Sequence, residues 1–155
     1  MNTYADSSAL VALYVTEPFS DAADAALRAA GQIPFNLIHQ LEVPNAFERL
    51  VGRKLLTREE CRGLYDHLQE DLDHRRLVAT AVDLDAVFAQ ATELSTAHAA
   101  RFLARSLDLL HVAAAHVSGC TRFVSADDRQ IAVAKTTGLT VIDIKRRARR
   151  TRRQR

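Results

Sequence analysis

The sequence lacks several features that would organise a different kind of protein. None of its apolar runs approaches the roughly 18 residues of a membrane span, and no basic start followed by an apolar stretch opens the chain. No membrane segment and no secretory signal are expected, so the expected location is cytoplasmic. Cysteine is scarce: Cys61 and Cys120 stand far apart and match no metal-ligand or redox spacing. Both are expected to be reduced and structural. There is no internal repeat, no interdomain linker and no convincing triad of nucleophile, base and orienting acid. What remains is 155 residues, 48% of them hydrophobic, enough for one domain with a real core.

Acidic residues are missing from the last stretch. Lys145 to Arg155 holds eight basic residues and no acid, which leaves 13 Lys and Arg against 19 Asp and Glu in the first 144 positions. The net charge of +2 therefore hides a body of −6 and a tail of +8. So dense a block of like charge predicts a solvated, disordered arm at 145–155, following a folded domain at 1–144. Such an arm also gains affinity for phosphate backbones through counterion release.

The stretch Thr3-Tyr4-Ala5-Asp6-Ser7-Ser8 passes from residues that suit an extended chain into helix-capping residues, and a compact apolar run at helical spacing follows. It predicts a strand, a turn and a helix to about Tyr14. A second helix is expected over Phe19 to Ala30, and Pro34 marks the next extended piece as a sheet edge or strand start. Leu37 to Val51 reads as helical, with Pro44 tolerated in the first turn if the helix starts late. Thr57 to Glu60 fits a capping box that opens a helix to about Asp73. Leu77 to Val82 reads as a strand, and Asp83 caps a helix to about Ala97. A polar connection through His98 and Arg101 then leads to the nearly all-apolar helix Asp108 to Val117, which is expected to be buried. Phe123 to Ser125, Asp127 to Thr137 and Thr140 to Ile144 complete a strand, a helix and a strand. Strands alternating with helices predict an α/β fold: a three-layer αβα sandwich around a mostly parallel sheet.

The chemistry lies in where this frame puts carboxylates. Asp6 and Asp127 each follow a strand directly, so both fall on the carboxyl edge, where open α/β sheets bind ligands. Asp108 stands in the first turn of the apolar helix, and Glu42 heads the third helix. Singly, each could be a cap or a first-turn acid. Together they need a cation, since two carboxylates about 4 Å apart repel by roughly 4 kcal/mol at an effective dielectric near 20. Oxygen-only ligands select a hard ion such as Mg²⁺ or Mn²⁺.

Four segments carry a resemblance. They are Asp6-Ser7-Ser8-Ala9-Leu10, Glu42 within Gln40-Leu41-Glu42-Val43, the run from Arg105 through Asp108 and His111, and Phe123 to Gln130 followed by Gly138-Leu139. In order, over about Thr3 to Ile142, they resemble the successive motifs of the PIN domain family, nearest to its VapC-type toxins. The resemblance implies a PIN-like sandwich and a Mg²⁺- or Mn²⁺-dependent endoribonuclease that cleaves cellular RNA such as tRNA or rRNA. It also implies a homodimer, inhibition by a cognate antitoxin, and contact with DNA only through that antitoxin. Asp6, Glu42, Asp108 and Asp127 become the catalytic acids, with Asp6, Asp108 and Asp127 as metal ligands and Glu42 orienting water or a second ion. Ser7, Ser125, Arg105 and Asp128 are candidates for supporting or substrate contacts, as is Ser8, and helix capping is the alternative for each of the three serines. Two departures stand out. Ala126 occupies a position usually aromatic in the family, and the doublet Asp127-Asp128 leaves the fourth acid open; Arg129-Gln130 falls at the family's spacing if it is Asp127.

His111 reads as a packing histidine on an apolar helix, and His39 has a spacing to Glu42 that could share a metal. The alternative function is a catalytically weak RNA-binding or assembly module on the same fold. A phosphoaspartyl protein fits less well, because Ser7 and Ser8 follow Asp6 where that loop needs a second aspartate.

Overall fold

Thr3–Ala5 form β1, three buried residues that begin the sheet. The computed structural model describes residues 1–153, with side chains to Arg149. Asp6 caps α1 (Ser7–Tyr14), and α2 (Ser20–Ala30) ends at Gly31, whose φ of 76° suits glycine. Next come β2 (Ile33–Phe35), α3 (Leu37–Gly52), α4 (Arg58–Asp73), β3 (Leu77–Ala79) and α5 (Leu84–Leu94). A π turn over Ser95–Ala99 runs into the short α6 (Ala100–Phe102), and Leu103 at φ 53° ends it. The chain closes with α7 (Ser106–Val117), β4 (Arg122–Ser125), α8 (Asp128–Thr136), β5 (Thr140–Asp143) and α9 (Ile144–Arg153).

All strand pairs are parallel. β4 lies between β1 and β5, with Ala5 opposite Val124 and Ser125 opposite Asp143, while β2 pairs with β3. β2 lies beside β1, so the sheet is hydrogen-bonded as two ladders among the described residues. Successive strand side chains point to opposite faces. Ala5 and Val124 accordingly pack with Leu10, Leu27, Phe47 and Leu68 of α1 to α4. Tyr4 and Phe123 face the other way, onto Val87, Leu94, Val112 and Val133 of α5, α7 and α8. The result is a three-layer αβα sandwich with a parallel sheet in the middle.

Four local features differ from the sequence reading. α3 starts at Leu37 as expected and not late, because Asn36 caps it and accepts from the amides of Ile38 and His39. Pro44 therefore lies inside the helix and Glu42 in its second turn rather than at its head. The strand expected to reach Val82 stops at Ala79, and the expected polar connection through His98 and Arg101 is helical.

The fourth is the basic arm, which continues as α9 to Arg153 instead of leaving the fold. Asp143 Oδ1 accepts from the Arg146 amide at 2.9 Å, Ile144 is buried in the α1–α4 core, and α9 packs on α2. A cap and an apolar anchor offset the repulsion of neighbouring cations. Gln154 and Arg155, also part of the expected arm, lie outside the described residues.

Candidate active site at the carboxyl edge of the sheet

Asp6 has no solvent exposure. Its Oδ1 accepts from the Ala9 amide at 2.9 Å and from Ser8 Oγ at 2.8 Å, and its Oδ2 accepts from Ser125 Oγ at 2.6 Å. Burial pushes its pKa above the ordinary carboxyl value, while His111 and the donors of Ser125, Ala9 and Ser8 pull it down without cancelling that effect. The capping role and the site role fall on the same side chain.

Glu42 reaches the edge from α3. Ser7 Oγ donates to Glu42 Oε2 at 2.8 Å, and His111 Nε2 bonds the same oxygen. Burial alone would raise this carboxyl, but the His111 bond, that ring's charge and the Ser7 hydroxyl outweigh it and hold the pKa below the ordinary value. His111 is therefore more than packing. Its Nδ1 lies 2.9 Å from Tyr4 Oη, which accepts from Asn36 Nδ2 at 3.2 Å. A neutral His111 takes the Tyr4 proton on Nδ1 and donates from Nε2 to Glu42, and a protonated ring donates from both nitrogens.

His39 does not share a site with Glu42. Its Nδ1 accepts from the Asn36 amide and its Nε2 donates to the Ala5 carbonyl at 2.8 Å. Burial, with His111 beside it, brings its pKa down to about 3 despite that carbonyl bond, so it stays neutral.

Asp108 occupies the third position of α7. Its Oδ2 accepts from the Arg105 amide at 2.7 Å and its Oδ1 from Gln130 Nε2 at 3.4 Å. Arg105 contributes its backbone here, and its side chain is exposed. Asp127 caps α8, accepting from Arg129 and Gln130 amides, and its own amide donates to Ser125 Oγ at 2.8 Å. Asp128 is exposed, whereas Asp127 is half-buried. Two short paths thus link the acids: Asp6 to Asp127 through Ser125, and Asp127 to Asp108 through Gln130. Tyr4, Asn36 and the His111 bonds were not read from sequence, since their partners come from distant segments.

Glu42 and Asp127 line one open recess of about 320 Å³ with Ser7 and Ser8, and Glu17, Phe19, Arg49 and Lys145 also stand in its wall. Asp6 lies behind Ser8. A recess of similar size between α1, α2 and α4 holds the pairs Asp71–Arg76 and Asp24–Arg28, whose charges are already matched.

As the side chains stand, no group of three or more His, Cys, Asp or Glu among the described residues closes on one point. The serines hold Asp6 instead. The donor set is nonetheless all oxygen, and Gln130 Oε1, buried beside Asp108, has no hydrogen-bond partner among the described residues. An acid edge with a spare buried acceptor fits a hard divalent ion with bound water.

Among curated proteins, no relative matches the chain. Two solved structures are similar in fold: FitAcB from Neisseria gonorrhoeae, at 15% identity and TM-score 0.63, covering 92% of this chain and 98% of that one; and PAE2754 from Pyrobaculum aerophilum, at 20% identity and TM-score 0.61, covering 97% and 88%. The PIN domain profile matches residues 3–142, from β1 into β5 and across Asp6, Glu42, Asp108 and Asp127. The chain belongs to the PIN domain family, whose members are generally nucleases.

Proposed function

We propose that the chain is a Mg²⁺- or Mn²⁺-dependent endoribonuclease, the toxin of a toxin–antitoxin pair acting in the cytoplasm as a homodimer. The observation that carries this reading is the hydrogen-bonded chain Asp6–Ser125–Asp127–Gln130–Asp108 along the carboxyl edge, with Glu42 facing the same recess. Asp6, Asp108 and Asp127 are the residues that would hold the ion. When bound, it supplies an acidified water and offsets charge on the phosphodiester.

The rest of the work falls to the chain's own groups. His111 and Ser7 fix one oxygen of Glu42, whose side chain is 22% exposed, so its anion can accept a proton from a water in the recess. Ser125 sets the spacing of Asp6 and Asp127. The sequence resemblance supports the RNA substrate, the antitoxin and the dimer; the antitoxin alone would bring DNA into contact.

A second reading, a catalytically weak RNA-binding module, draws support from the acids that do not converge. Incubating purified protein with total bacterial RNA in Mg²⁺ or Mn²⁺, with EDTA controls, separates the two. Discrete fragments that vanish in EDTA and in Asp6→Asn and Asp108→Asn, both checked for folding by circular dichroism, are expected. Absence of cleavage by a folded protein that still binds RNA would put the second reading first.

A further inference from the structure

The basic residues of α9 do not point at a random part of the surface. Lys145 lines the acid recess together with Glu42, Asp127 and Arg49. Lys145 also lines a neighbouring recess with Pro18, Phe19, Ala148 and Arg149. Phe19 belongs to both, so the two recesses share a wall made of one aromatic ring and one ammonium group. Phe19 is half-buried and Pro18 exposed, which leaves an apolar surface open between the cations.

An aromatic surface flanked by cations is what a single strand of nucleic acid requires, since its bases stack and its phosphates seek positive charge. A duplex offers no free base face to Phe19. An acidic peptide would use the charge but leave the ring without a purpose.

We infer that the recess over Phe19, between the start of α2 and α9, is a docking track for single-stranded nucleic acid, with a base on Phe19 and phosphates on Lys145 and Arg149, leading into the acid recess. The direction of the track rests on the nuclease reading; the binding does not. It resolves an electrostatic difficulty, because a body of net −6 would otherwise repel a polyanion from its own acid edge.

The test is fluorescence anisotropy of the full chain with a labelled 12-nucleotide oligouridylate, in EDTA so that nothing is cut, from 50 to 300 mM KCl. Lys145→Gln and Arg149→Gln remove one charge each from the track. Arg122→Gln removes one from the opposite end of β4. Each track variant is expected to weaken binding several-fold and to lower the slope of log K against log salt by about 0.7, the value for one single-strand phosphate contact, with Arg122→Gln near wild type.

Equal effects from all three variants would overturn the track, as would unchanged affinity. So would track variants that keep the oligonucleotide but lose a labelled oligoglutamate peptide, which would assign α9 to an acidic protein partner. Cleavage assays on the same proteins separate the two ideas. If wild type cuts no RNA while the track variants still lose affinity, the nuclease reading fails and the docking site stands. Track variants that cut with unchanged KM would sink the docking site alone.

Discussion

The buried pair Tyr4–His111 gives a quantitative test of the hydrogen-bond line that ends on Glu42. Both side chains are fully buried, they come from positions 107 apart, and Tyr4 Oη lies 2.9 Å from His111 Nδ1. His111→Leu keeps comparable bulk but takes away the acceptor for the Tyr4 proton. Tyr4 still receives the Asn36 bond, and Glu42 keeps Ser7 and some solvent, so one buried donor is left unpaired. The expected loss is about 1–3 kcal/mol. Tyr4→Phe strands two groups, Asn36 Nδ2 and His111 Nδ1, and is expected to cost more, about 2–6 kcal/mol on the same scale. The double variant leaves only the Asn36 amide unpaired. It is expected to be less destabilised than the sum of the singles by at least about 1 kcal/mol, since each single already breaks the shared bond. Urea unfolding of the four proteins by circular dichroism, with unchanged m-values, measures this. Additivity within about 0.5 kcal/mol would refute the pairing.

Two further outcomes follow from the geometry. Glu42 has a folded pKa below its ordinary 4.5, so it stabilises the fold above that pH and the contribution is lost as pH falls through the folded value. Glu42→Gln should flatten the acid side of the stability curve relative to wild type, and identical curves below pH 5 would contradict the His111 bond; the opposite trend of Asp6 is common to both proteins. Pro44 lies in the interior of α3, where its ring crowds the Gln40 carbonyl and it can donate no bond. Pro44→Ala should raise the urea midpoint by an amount equivalent to about 1–3 kcal/mol, and a fall in midpoint would show that the packing around Val43 and Phe47 needs the proline.

Most helix starts were legible because capping is local chemistry. Thr57 with Glu60 forms the capping box its spacing predicts, and Asp6, Asp83 and Asp127 each cap the helix that follows. The alternation that puts Tyr4 and Ala5 on opposite faces is likewise written in adjacent residues. The failures share another cause. Whether Lys145 to Arg153 forms a helix depends on the Asp143 cap and on Ile144 finding the α1–α4 core, which charge density does not reveal. The π turn at Ser95–Ala99 is a slip in hydrogen-bond register that leaves no mark on apolar spacing. His111 looked like packing because apolar periodicity describes one helix, whereas its partners Tyr4 and Glu42 come from β1 and α3. The acids followed strand ends and helix starts and so were findable; the serines and Gln130 that space them were found only partly.

The proton inventory of the edge explains why cations must come from elsewhere. Asn36 donates to Tyr4, Tyr4 Oη meets His111 Nδ1 and His111 Nε2 meets Glu42, so this line ends on an anion and brings at most one imidazolium charge to it. His39 is neutral and spends its proton on the Ala5 carbonyl. Asp6 is held by hydroxyls and an amide, none of which carries a charge. Behind the recess, then, stand mostly uncharged donors, with at most one imidazolium charge, that of His111, set against the carboxylates. A phosphodiester entering such a site meets repulsion unless positive charge enters with it or already lines the wall. Arg49 and Lys145 are the cations that line that wall, and Lys145 belongs to the strongly basic helix α9. The acid edge and the basic helix are therefore two halves of one electrostatic arrangement, and removing the basic residues should weaken the binding of a polyanion at the edge and lower its salt dependence.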